Sequence, residues 1–183
     1  MFGNIFLKYF EKFKGKIKVW YILYIKNILF NMSKFWKIFL IILSILVVAI
    51  LGSVFVNLGM DWFMLTVKPT QWIPNIIIPI VWSVIYILFG LVLSYWVSRG
   101  YLSLKTILLL ILNGLLNILW CLVFFALNLT FVGNIVIILN LIASIVLWLD
   151  IYKYNKNYAY FVAIYPIWLS IATTLNLAIW ILN

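Results

Sequence analysis

Five long apolar runs separated by short polar breaks set the pattern of this chain. They cover residues 38–58, 76–97, 107–127, 132–149 and 158–182. A helix rises about 1.5 Å per residue, so about 20 residues cross about 30 Å of hydrocarbon. Each run reaches or approaches that length. The expected fold is therefore an all-α membrane protein, a five-transmembrane-helix bundle. The breaks predict a loop at 59–73, a turn after Arg99-Gly100, a tight connection at 128–131 and a polar loop at 150–157. Residues 1–37 follow another rhythm. Phe2, Ile5, Phe6, Tyr9, Phe10, Phe13, Ile17, Trp20 and Tyr24 recur at spacings of three and four, with Lys8, Lys12 and Lys18 on the other side. That predicts a basic amphipathic N-terminal extension lying in the membrane interface. The expected division is a leader over 1–37 and a transmembrane domain over 38–183. A mitochondrial transit peptide is the competing reading of the leader. Such peptides are rich in Arg and Ser, whereas this one has no arginine, one serine and Glu11.

Composition agrees with a membrane setting. Hydrophobic residues make up 68% of the 183, well above the roughly half of a soluble domain. The net charge of +10 is concentrated ahead of the first run, at Lys8, Lys12, Lys14, Lys16, Lys18, Lys26, Lys34 and Lys37. Beside a membrane segment such a patch fits an anionic lipid surface rather than nucleic acid. Arg99, Lys105, Lys153 and Lys156 fall on the same side as the leader, and only Asp61 and Lys68 fall on the other. The positive-inside rule then predicts an integral, multi-pass protein with a cytosolic N-terminus and an outer C-terminus. A bacterial cell membrane is expected, with the mitochondrial outer membrane as the alternative. The single cysteine, Cys121, excludes an intrachain disulfide. The chain has no histidine, the commonest metal ligand and general base, so no metal, cofactor or catalytic residue is expected.

The tryptophans sort by depth. Trp36, Trp96 and Trp148 fall at the inner interface, and Trp62, Trp72 and Trp180 at the outer one, as belt residues. Trp82, Trp120 and Trp168 fall deeper. At about 1.5 Å per residue, Trp82, Trp120 and Asn176 lie roughly 9–10 Å from the outer end, and Tyr86, Asn117 and Ala172 roughly 15 Å. Asn113, Asn117, Trp120 and Phe124 share one face of the third run; Tyr165, Trp168, Ala172 and Asn176 share one face of the fifth. An amide facing lipid would be unsatisfied, so both faces turn inward. Two readings stand. Asn113 and Asn140 read as interhelical glue. The layer of Trp82, Tyr86, Asn117, Trp168 and Ala172 reads either as glue or as one ligand pocket. No ionisable side chain lies at depth, which disfavours ion-coupled transport. Ser170, Thr173 and Cys121 have no partner base for hydrolysis. An apolar aromatic cavity with a few amides suits a flat, hydrophobic ligand.

Three stretches carry a resemblance. Residues 68–90, KPTQWIPNIIIPIVWSVIYILFG, place Lys68, Pro69, Trp72 and Pro74 before a helix bearing Trp82, Tyr86 and Phe89. Leu116-Asn117 and Trp120 are followed by Phe124-Phe125. The third stretch runs from Tyr165 through Trp168, Ser170, Ala172, Thr173, Asn176 and Trp180 to Leu182-Asn183. From about Ser53 to Asn183 the chain resembles the TspO/MBR family of tryptophan-rich sensory proteins and translocator proteins, or peripheral benzodiazepine receptors. The resemblance implies a five-helix bundle, often dimeric. It also implies a pocket under the first loop that binds porphyrins and other tetrapyrroles, sterols or benzodiazepine-type compounds, with a sensory or regulatory role. Ligand residues implied are Trp82, Tyr86, Asn117, Trp168 and Ala172, alongside Trp120 and Asn176 of the same layer. Lys68, Pro69, Trp72 and Pro74 would form the lid. Transport of the ligand, and light-dependent porphyrin breakdown through Trp82 and Trp168, are the alternatives. The sequence departs from the family pattern at Ile73-Pro74, Ile76-Ile77-Ile78, Asn134 and Ile164-Tyr165.

Overall fold

A computed structural model describes residues 27, 31–69 and 73–183 of the chain. Most of the leader, and Trp72, lie outside the described residues. Helices α1 (Lys34–Leu58), α3 (Ile77–Arg99), α4 (Leu104–Cys121), α5 (Thr130–Tyr154) and α7 (Ile164–Leu182) follow the five apolar runs. Two short helices join them, α2 (Met60–Leu65) and α6 (Lys156–Val162). Five segments are thus long and apolar enough to cross a membrane, the last formed by α6 and α7 together. The protein is a multi-pass integral membrane protein.

Local chemistry explains the helix ends. Gly100 closes α3 in the left-handed region (φ 74°), donating its N–H to Trp96 and Val97 carbonyls. Only glycine adopts that conformation without steric cost. Ser103 caps α4 by accepting from Thr106 N at 3.1 Å. Asn155 caps α6, its Oδ1 accepting from Asn157 N and Tyr158 N at 3.0 and 3.3 Å. The polar loop expected over 150–157 therefore shrinks to Asn155, and α5 runs on to Tyr154. Pro166 lacks the N–H that would bond the Val162 carbonyl, and the last span divides between α6 and α7 at Ala163. The third span closes in a π-type turn over Leu122–Ala126, with Leu127 N bonding Leu122 O at 3.0 Å. Asn128 then reverses the chain at φ 57°.

α5 packs between α4 and α7, while α3 lies against α6 and α7. α1 is the outlying helix, with Gly52 its only buried residue among those described. At the end of the bundle that carries Arg99 and Lys105, α4 is pinned to α5 by a buried carboxylate. Asp150, 4% exposed, accepts from Lys105 Nζ at 2.6 Å and from Thr106 Oγ1 at 2.8 Å. Lys105 keeps 60% of its side chain exposed, so its charge stays hydrated. Asp150→Ala should lower the stability of the detergent-solubilised protein by about 2 kcal/mol through the lost charge-assisted bonds. An unfolding midpoint equal to wild type would show that the pair holds nothing.

Three tryptophans expected in the interfacial belts are packing residues. Trp96 is 0% exposed, with Tyr154 and Tyr101 edge-on at 5.6 and 6.4 Å. Trp148 donates Nε1–H to the Ala159 carbonyl at 3.0 Å, tying α5 to α6. Trp62 sits edge-on to Phe124 at 5.7 Å. Periodicity places a ring at a given depth, but the neighbouring helices decide whether it meets lipid or protein.

Candidate functional site

The site is built at the end of the bundle where α1, the π-type turn of the third span and α7 all terminate. Trp82 stands about one and a half turns into α3, and its ring joins three helices. It stacks on Tyr86 of its own helix at 5.9 Å, lies 6.1 Å from Trp120 of α4, and meets Tyr165 of α7 edge-on at 6.2 Å. Trp120 continues the wall to Phe124 and Phe125 at 6.2 and 5.6 Å. Offset and edge-to-face pairs of this kind add about 0.5–1.5 kcal/mol each beyond the area they bury. On α7, Trp168 and Ala172 are buried in the same apolar core, and Asn176 is buried further along that helix. Asn117 is 3% exposed on α4.

The polar atoms of this layer are mostly unpaired. Asn117 Nδ2, Trp120 Nε1, Trp168 Nε1 and Asn176 Nδ2 are buried without a hydrogen-bond partner among the described residues, and both amide atoms of Asn134 are in the same state. Each lone buried group costs about 1–3 kcal/mol. The interhelical bond that does form lies beside them, from Tyr165 Oη–H to Asn140 Oδ1 at 3.2 Å. Asn140 thus acts as the glue expected of it. Asn113 instead donates to Leu109 O of its own helix at 2.8 Å.

One contributor was not legible in the residue pattern. Gly52 of α1 faces the layer: a Cβ there would lie 3.5 Å from Cys121 Sγ and 3.9 Å from Asn117 Oδ1. The first helix therefore forms a wall, and its lack of a side chain leaves room beside Asn117. Tyr165, expected on the inward face of the fifth run, joins the wall as well, its ring meeting both Trp82 and Phe89. A glycine within a helix of uniform hydrophobicity gives no signal of what it faces.

Above the layer, the segment expected as a loop over 59–73 contains the helix α2. Phe63 of that helix is buried against Phe125 at 5.3 Å, next to the Trp62–Phe124 contact. Lys68, expected in the lid, turns back on this strap. Its Nζ donates to Phe63 O at 2.7 Å and to Thr66 O and Oγ1 at 3.2 Å, and lies 4.6 Å from the Phe63 ring centre. Partial burial lowers its pKa from the ordinary lysine value. Pro69 is half-buried, and Pro74 leads into α3 through a turn in which Ile77 N bonds Pro74 O at 2.9 Å. Among the described residues no group of three histidine, cysteine or acidic side chains comes together.

Comparison with known proteins gives the same picture. Residues 38–181 match the model of the TspO/MBR family. The tryptophan-rich protein TspO of Archaeoglobus fulgidus is 31% identical over 144 residues, covering 78% of this chain and 94% of that protein. That of Chlorobaculum tepidum is 28% identical over 142 residues, covering 75% and 90%. The match takes in all five spans and every residue of the aromatic layer, and the chain therefore belongs to the TspO/MBR family.

Proposed function

We propose that the layer of Trp82, Tyr86, Asn117, Trp120, Trp168, Ala172 and Asn176 binds a flat, largely apolar ligand, a tetrapyrrole such as a porphyrin first among them. Binding would serve a sensory or regulatory role. One observation carries this reading. Four N–H donors of α4 and α7, on Asn117, Trp120, Trp168 and Asn176, lie buried and unpaired among the described residues, and Trp120 and Tyr165 of the same two helices meet the Trp82 ring. A packing layer with no ligand would leave all four desolvation costs standing. A planar ligand with ring or carbonyl acceptors would offset them while its faces stack on Trp82 and Trp120. Lys68, Pro69 and Pro74, with Trp72, would belong to the lid over this layer.

The orientation we infer puts the N-terminus in the cytosol, because Arg99, Lys105, Lys153 and Lys156 gather at the end opposite Asp61 and Lys68. The membrane is then a bacterial cell membrane, a reading supported by the relative from Chlorobaculum tepidum.

The test is a titration of the detergent-solubilised protein with protoporphyrin IX, followed by tryptophan fluorescence. Saturable quenching is expected, with a midpoint raised roughly fivefold to tenfold in Trp168→Phe, since that variant loses one N–H donor but keeps an aromatic ring. Linear quenching, unchanged in the variant, would mean partitioning into the micelle and would end the porphyrin reading.

A further inference from the structure

The strap over the layer is held at its two ends by different forces. Its root is apolar and buried: Trp62 and Phe63 pack on Phe124 and Phe125 at the end of the third span. Its far end is polar and exposed. Val67 N donates to Asn183 Oδ1 at 2.9 Å, and Asn183 Nδ2 donates back to Val67 O at 3.2 Å. The carboxamide presents a donor and an acceptor side by side, so it pairs with Val67 as a neighbouring strand's backbone would. Asn183 Nδ2 also donates to Ile179 O at 2.8 Å. That carbonyl also accepts the Asn183 backbone N–H at 3.2 Å, so the main chain and side chain of the capping residue share it. Two carbonyls on one nitrogen decide which way the amide points. The bonds of Lys68 and Thr66 to the Phe63 carbonyl fold the strap back on its root.

We propose that Asn183 is a positioning residue that latches the strap to α7 and sets how fast a ligand enters and leaves the layer beneath. The ligand half of this inference rests on the binding function proposed above; the latch itself rests on the three hydrogen bonds of Asn183. The strap runs from the end of the third span to the end of α7, and Trp120 and Asn176 lie one to two turns below those two ends. The buried root resists opening. The exposed pair competes with water and opens readily, as a gate requires. Because the latch touches the strap and not the layer, releasing it changes access without changing the ligand's contacts.

The experiment compares wild type with Asn183→Ala by two readouts. Hydrogen exchange of the ligand-free protein should show the Val67 amide losing protection in the variant, while amides in the middle of α7 keep theirs. Stopped-flow with protoporphyrin IX should show association and dissociation rates both rising roughly tenfold, as expected for loss of a two-bond pair, with Kd within about twofold of wild type. Asn183→Gln, which keeps the carboxamide on a longer arm, should restore part of the slowing. Unchanged exchange at Val67 would overturn the latch. A faster dissociation with unchanged association would overturn the gate, because it would place Asn183 in the binding contacts themselves. If wild type fails to bind the porphyrin saturably, the binding function falls, and the exchange result alone then decides the latch.

Discussion

Replacing Gly59 with valine should cost the protein about 3 kcal/mol or more of stability. Gly59 joins α1 to α2 at φ −103°, a conformation open to any residue, so backbone freedom is not the reason for a glycine here. The reason is space. A Cβ built on Gly59 would stand 2.8 Å from Phe125 Cα and overlap the Phe125 carbonyl. That obstacle is backbone, and it sits in the π-type turn that closes the third span. A rotamer change cannot relieve the overlap; either the turn or the root of the strap must move. Moving the root would pull Phe63 from Phe125 and Trp62 from Phe124, so both stability and the cover over the layer should suffer together. Gly90→Ala is the matched control. The nearest atom a Cβ would meet there is Ile45 Cδ1 at 3.9 Å, and the site is mid-helix, so the change should be neutral or stabilising by up to about 1 kcal/mol. Unfolding midpoints of the two variants in one detergent would settle the matter. Equal midpoints would show that the close approach of Gly59 to Phe125 has no energetic weight.

The variant carrying both Trp82→Ala and Trp168→Phe should lose about 100-fold in affinity for protoporphyrin IX, with each change removing about 1–2 kcal/mol. The two changes remove different things. Trp82→Ala takes away the ring that links Tyr86, Trp120 and Tyr165, and with it the stacking surface. Trp168→Phe keeps a ring and deletes one of the unpaired N–H groups. Because the residues share one layer, their effects need not add, and the single variants measure the coupling. Binding is best followed through the absorption band of the porphyrin, since both changes remove a fluorophore. Thermal unfolding of the same samples separates loss of the site from loss of the fold. An affinity within threefold of wild type would remove these two tryptophans from the site, and the unpaired donors would need another ligand.

Much of this was legible in the residue order, for physical reasons that differ from element to element. Hydrocarbon solvates no backbone amide, so an apolar run of about 20 residues has to be a helix, and five such runs dictate five spans. Depth follows from the rise per residue, so counting alone predicts one layer for Trp82, Asn117, Trp120, Trp168, Ala172 and Asn176. Counting failed where neighbours decide. Nothing in the run over 107–127 marks the π-type turn at Leu122–Ala126, because an extra residue in a turn changes register and not composition. Trp96 and Trp148 carry the side chains of a lipid belt, yet Tyr154 and the Ala159 carbonyl claim them. Asp150 looked like the start of a polar loop; paired with Lys105 and Thr106, its carboxylate can be buried and α5 continues past it. Gly52 shows its role only once Cys121 and Asn117 stand opposite, and Gly59 only once the Phe125 carbonyl does. The 116-residue separation between Val67 and Asn183 is beyond any local pattern. The sequence by itself determined the class of the protein, its spans and the depth of its aromatic and amide groups, because these depend on one helix and its solvent. Only the tertiary structure decided which faces meet, which donors stay unpaired and what holds the strap, because those are properties of pairs of helices.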